Sequence, residues 1–307
     1  MPIKIDSDLP AKSTLEKENI FVMTEERALT QEIRPLKIAI VNLMPTKEVT
    51  ETQLLRLLSN TPLQIEISLV RMKGHISKNT SEEHLDRFYI SSEEVFKNKY
   101  DGMIITGAPV EQLPFEQVDY WDELCKIMDY AKKHVHCTLY ICWGAMAGLY
   151  HLHGINKNIV EKKFSGIYKS HRLDNYDPLT RGFDDYFPVP TSRYTTILSA
   201  DVMKNPDLIL LADNKETGVT IAKSKDNRSI FMTGHLEYDS DTLAKEYYRD
   251  LNKGINPEIP GNYFEDDDPE KGAYSTWRSS AHLFYSNWLN YYVYQTTPYA
   301  LEDIEKE

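Results

Sequence analysis

Apolar runs and amphipathic stretches alternate along most of this chain. Residues 37–43 (KIAIVNL) are nearly continuous in hydrophobic side chains, the pattern of a strand buried on both faces of a parallel sheet, and Met44-Pro45 ends it. Residues 48–59 (EVTETQLLRLLS) instead carry Leu54, Leu55, Leu57 and Leu58 at helical spacing, which predicts an amphipathic helix. Strand patterns recur at 63–70 and at 100–106, the latter running into the tight turn Gly107-Ala108-Pro109. A helix is predicted over 120–133, followed by a strand over 137–141 that passes directly into Cys142-Trp143-Gly144. Further strands are expected at 207–212, 218–222 and 229–233, the last leading into Gly234-His235. This alternation predicts an α/β fold: a mostly parallel sheet with helices on both faces.

Three segments depart from the pattern. Residues 1–35 read as a polar N-terminal arm ahead of a single domain over 36–307, and 256–272 (NPEIPGNYFEDDDPEKG) as a long acidic loop. Residues 276–295 (TWRSSAHLFYSNWLNYYVYQ) have helical spacing and many aromatics, predicting a helical C-terminal extension packed on the core or on a partner subunit; the second case would make a homodimer. No internal repeat at a fixed period is visible.

With 307 residues, 41% of them hydrophobic and 11% aromatic, the chain can bury a substantial core, which excludes disorder as the whole answer. A net charge of −12 disfavours a broad electrostatic footprint for nucleic acid or an anionic membrane. The longest apolar stretch, 139–150, is about a dozen residues against the roughly 20 of a membrane helix, and the charged N-terminus lacks a signal-peptide core. Cys125, Cys137 and Cys142 are too few for a disulfide framework or a zinc cage, so a reduced, cytoplasmic protein is expected. His134, His136, His151 and His153 lack a further ligand at supporting spacing, and Asp266-Asp267-Asp268 lacks the alternation and glycine of a calcium loop; no metal is expected.

The chemistry concentrates at two strand ends. In Leu139-Tyr140-Ile141-Cys142-Trp143-Gly144-Ala145 an apolar strand breaks at a cysteine and small residues open a helix, as a nucleophile elbow requires. A helix N-terminus lowers a thiol pKa and offers free N–H groups to an oxyanion. A free cysteine is more often an inert core residue, and this segment alone leaves both readings open. Downstream, Thr233-Gly234-His235-Leu236-Glu237 puts a histidine just beyond another strand, with a carboxylate two residues on that can fix the imidazole tautomer. The carboxyl ends of parallel strands share one crevice, so Cys142 and His235 can meet there.

Cysteine at a strand-to-helix elbow followed by a distant His-x-Glu resembles the class I glutamine-amidotransferase-like fold. The longer stretches NLMPTKEVTETQLLRLL, ITGAPVE, YICWGAMAGLYHLHGI, VPTSRYT, GHLEYD and RSSAHLFYSNWLNYYVYQTTPY resemble one branch of it, the homoserine O-acetyl- and O-succinyltransferases of methionine biosynthesis. The resemblance implies that Cys142 is the acyl-accepting nucleophile, His235 the general base and Glu237 its orienting acid, with substrate contacts at Lys163, Ser192 and Arg249. It implies two-step acyl transfer from an acyl-CoA co-substrate to L-homoserine, without a resident cofactor. The amides of Trp143 and Ala108 are the candidate oxyanion donors. Glu111 occupies the position that separates acetyl users (Glu) from succinyl users (Gly) in that family. A carboxylate there would fill the space of a succinyl tail and repel its charge, which predicts acetyl-CoA.

Two other readings stand beside this one. A glutaminase or cysteine hydrolase on the same fold is disfavoured by Tyr140, where glutaminase elbows carry glycine. A redox sensor would need a resolving thiol, and Cys137 sits on the adjoining strand at a spacing that does not favour pairing.

Overall fold

The computed structural model describes residues 3–6, 8–18, 22–23, 34–74 and 79–304. Its strands are β1 (Ile3–Lys4), β2 (Val22–Met23), β3 (Leu36–Val41), β4 (Ile65–Arg71), β5 (Tyr89–Ser91), β6 (Tyr100–Ile105), β7 (Val135–Ile141), β8 (Asn158–Arg172), β9 (Tyr186–Thr196), β10 (Leu208–Asn214), β11 (Gly218–Ser224) and β12 (Ser229–Met232). They form one 12-stranded sheet in the order β2-β1-β4-β3-β6-β7-β12-β11-β10-β8-β9, with β5 also on β4. Pairing is parallel from β2 through β12 and antiparallel from there to β9.

The central strands are buried on both faces because helices cover both. Ile38, Ile40, Ile104, Leu139 and Ile141 belong to one core layer with the helices Lys47–Leu58 and Arg278–Asn287. Their strand neighbours Ala39, Val41, Met103, Ile105 and Tyr140 face the other layer, under the helices Trp121–His134 and Trp143–His153. This is the period-2 alternation of a strand expressed on two cores.

Two parts differ from expectation. Over 1–35 the described residues are packed: the helix Ala11–Lys17 buries Ala11 and Leu15, Ile5 and Leu9 are buried as well, and β1 extends the sheet beside β4. Sparse apolar residues among charges hid this element; the rest of that segment lies outside the described residues. The paired ribbon of β8 and β9 is also new, since the charged outer face of Asn158–Arg172 breaks any apolar run.

The C-terminal segment forms the expected helix, Arg278–Asn287, and continues as a π-helical turn through Trp288–Tyr294. Its Phe284, Tyr285, Trp288 and Tyr292 are buried in the chain's own core, so they supply no argument for a homodimer. The buried Lys223–Asp177 ion pair ties it to the sheet, with Tyr292 donating to Asp177 at 2.5 Å.

Candidate active site

Parallel register brings the decisive residues to one edge. Ile105 pairs with Tyr140, and Ile141 with Met232, so Gly107 after β6, Cys142 after β7 and His235 after β12 emerge side by side. Cys142 caps the helix Trp143–His153 with φ 50° and ψ −115°, a conformation rare for any residue other than glycine and the strained geometry of an elbow. Its backbone is pinned on both sides: the Cys142 N–H donates to Met232 O at 2.7 Å, and Cys142 O accepts from Met146 N–H at 3.1 Å. Gly144 permits the turn, because a Cβ there would lie 2.6 Å from Thr106 O and 2.7 Å from Ile105 O. Trp143 is the first helical residue, whose N–H has no intrahelical acceptor, while its ring is fully buried.

His235 is fixed from three directions. Its N–H donates to Pro190 O at 2.8 Å, its Nδ1 lies 2.5 Å from Glu237 Oε1, and its ring stacks on Tyr238 with centroids 4.1 Å apart. Burial alone disfavours the imidazolium, yet the Cys142 sulfur and the Glu237 carboxylate together outweigh it and hold His235 well above its ordinary pKa. Gly107 sits against both partners: a Cβ on it would be 3.2 Å from Cys142 Cβ and 3.4 Å from His235 Cε1.

In front of this pair opens a cleft of about 420 Å³. Ala108, Glu111, Cys142, Lys163, Ser192, His235 and Arg249 all line it, although they come from widely separated elements. Glu237 stands behind His235, and Trp143 behind Cys142. The arrangement around Lys163, Ser192 and Arg249 is more self-contained than expected. Lys163 Nζ approaches Glu246 Oε2 at 3.4 Å, Ser192 Oγ donates to the same oxygen, and Tyr238 OH donates to Glu246 Oε1 at 3.1 Å. Arg249 is not wholly free for a substrate, because its Nε donates to Asp250 Oδ1 at 2.8 Å. Glu246, absent from the sequence reading, is thus the hub of the cleft's far wall. It lies on the helix Thr242–Asn252, one turn before Arg249.

The other two cysteines do not line this cleft. Cys137 is fully buried, accepts from Trp288 Nε1 at 3.3 Å and is pushed up to about 12 by burial, so it is not a resolving thiol in this state. Among the described residues no group of three or more His, Cys, Asp or Glu is arranged to hold a metal ion. His151 instead pairs with Asp129 at 2.8 Å.

The chain matches the homoserine O-succinyltransferase family over residues 2–299. It is 55% identical over 307 residues to a homoserine O-acetyltransferase from Methanomethylophilus alvi, covering 100% of this chain and 99% of that protein. The chain belongs to the homoserine O-succinyltransferase family. A second member, the homoserine O-acetyltransferase of Clostridium acetobutylicum, is 56% identical over 301 residues, 98% of this chain and 100% of the relative. Among solved structures, a glutamine amidotransferase from Thermotoga maritima superposes with a TM-score of 0.52 at 12% identity, covering 84% of this chain and 98% of its own. That likeness establishes a class I glutamine-amidotransferase-like fold and nothing about the reaction.

Proposed function

We propose that this chain is a homoserine O-acetyltransferase that carries the acetyl group on Cys142. The observation that carries the reading is the buried Cys142–His235–Glu237 constellation opening on a cleft whose wall pairs a carboxylate with a guanidinium, in a chain more than half identical to proteins of that name. Glu246 and Arg249, one helical turn apart, match the ammonium and carboxylate of an α-amino acid, and Lys163 and Ser192 hold Glu246 in place.

The Cys142 thiolate attacks the thioester carbonyl carbon, the carbon–sulfur bond to CoA breaks, and the CoA sulfur takes the proton from His235. The neutral imidazole then accepts the homoserine hydroxyl proton as that oxygen attacks the acyl-cysteine. The carbon–Sγ bond breaks, restoring thiolate and imidazolium. Both tetrahedral intermediates place an oxyanion beside the elbow, where the Trp143 and Ala108 amides are the donors. Water has to be kept from the acyl-enzyme between the two steps.

Glu111 lines the same cleft as Cys142, which supports acetyl over succinyl: a dicarboxylic acyl group would bring its charge against a carboxylate. The test compares acetyl-CoA with succinyl-CoA, each with homoserine, by release of free thiol, beside an ammonia assay with glutamine. Faster turnover of acetyl-CoA and no ammonia are expected. Faster turnover of succinyl-CoA would overturn the Glu111 argument, and ammonia release would favour the glutaminase reading.

A further inference from the structure

The loop that carries Glu111 is anchored at both ends. At one, Gly107 sits against Cys142 and His235. At the other, Phe115 is only 2% exposed and stacks on Tyr150 of the helix Trp143–His153 with ring centroids 4.7 Å apart, and Glu116 accepts from the Tyr150 hydroxyl at 2.5 Å. Between these anchors the backbone makes a tight turn, closed by the Leu113 N–H donating to Val110 O at 3.0 Å, with Glu111 and Gln112 at its corner. All four residues of the turn line the cleft. A turn closed by a single hydrogen bond of its own opens readily unless another part of the chain holds it.

Lys157 provides that hold. It lies three residues beyond Gly154, the C-cap of the helix Trp143–His153, and Ile155 between them is buried with its N–H donating to Leu149 O at 3.1 Å. From this fixed base the Lys157 ammonium donates to Leu113 O at 2.5 Å and lies over the Phe115 ring, 3.9 Å from its centroid. Among the described residues no other side chain donates a hydrogen bond to residues 108–114. One ammonium thus joins the carbonyl that ends the Glu111 turn to the ring that anchors the loop, by a charge-assisted hydrogen bond and a cation–π contact. Lys157 itself does not line the cleft.

We propose that Lys157 is the positioning residue of the acyl-selecting turn: its ammonium pins Leu113 and so fixes where the Glu111 carboxylate stands in the cleft. It acts through the turn without handling substrate. Its bearing on donor choice rests on the Glu111 reading proposed above, whereas the fastening of the turn does not.

Hydrogen exchange over residues 108–116, read by peptide mass, tests the fastening without any acyl donor. In Lys157→Met, which keeps the apolar stem, the turn should exchange roughly tenfold faster than in wild type. Lys157→Arg, which can donate to the same carbonyl and stack on the same ring, should restore most of the protection. Unchanged exchange in Lys157→Met overturns the proposal, whichever thioester is preferred. The second readout is the ratio of kcat/KM for acetyl-CoA to that for succinyl-CoA. It should fall roughly tenfold in Lys157→Met and fall no further when that substitution is added to Glu111→Gly. A ratio that Glu111→Gly shifts and Lys157→Met does not also overturns the proposal. A ratio that Glu111→Gly leaves unchanged overturns the Glu111 reading instead, and the exchange result then decides on Lys157 alone. If Lys157→Met does not fold, Lys157→Ala takes its place in both assays.

Discussion

Replacing Gly107 by alanine inserts one methyl group where the nucleophile and base meet. The new Cβ would stand 3.2 Å from Cys142 Cβ and 3.4 Å from His235 Cε1, so both neighbours must yield by a few tenths of an ångström. Gly107 is not among the glycines with positive φ, so alanine strains only the side-chain space and not the backbone. Overpacking of this size costs about 1 kcal/mol of stability, a Tm change of roughly 2–4 °C in a chain this long. Reactivity is more sensitive, since a misplacement of about 1 Å can cost roughly 10²-fold; a few tenths on each partner predicts a loss of about 5- to 30-fold in acylation. Rapid-quench measurement of acyl-enzyme formation reads this directly. Gly261→Ala is the control, because its Cβ would meet nothing within 4 Å, and it should be silent. Full acylation speed in folded Gly107→Ala would refute the idea that sulfur and imidazole depend on this close approach.

Other expectations follow from the same geometry. Glu237→Gln should lower kcat by roughly 10²- to 10⁴-fold at little cost in KM, because the imidazole loses the carboxylate at 2.5 Å that fixes its tautomer. Glu111→Gly should shift the donor preference toward succinyl-CoA, measured as the ratio of kcat/KM for the two thioesters. Lys223→Met should cost about 3–5 kcal/mol in denaturant unfolding, since Asp177 would stay buried without its cation. Burial holds His136, His153 and His282 below the ordinary imidazole pKa. The unfolded chain therefore takes up these protons first, and their contribution to stability, present above about pH 6.5, declines as pH falls below it. His235, held above that value, acts in the opposite sense over the same range, so the reading is the difference between variants: Tm of His153→Gln should lose less, relative to wild type, between pH 7.5 and 5.5.

How legible all this was differs from element to element. Strands β3, β6 and β7 announced themselves because burial on both faces leaves an almost unbroken apolar run, and the elbow became readable only when Cys142 between an apolar strand and small residues was joined by the strand-end His235-x-Glu237 downstream. The β8–β9 ribbon did not, since charged residues on its open face mask the alternation, and residues 8–18 carry too few apolar positions to signal a packed helix. Glu246 escaped notice for a related reason: without the helix Thr242–Asn252, nothing in the sequence sets it one turn from Arg249 or opposite Ser192. Gly107 derives its meaning from a close approach across strands, to Cys142 and His235, which spacing along the chain cannot show.

The central claim is that the acyl group rests on one sulfur. Intact-protein mass after brief exposure to acetyl-CoA, with homoserine withheld, tests it most directly. The account predicts a single acetyl adduct on wild-type protein that disappears when homoserine is added and never forms on Cys142→Ala. An adduct that persists in Cys142→Ala, or homoserine acetylation that proceeds without that thiol, would contradict it.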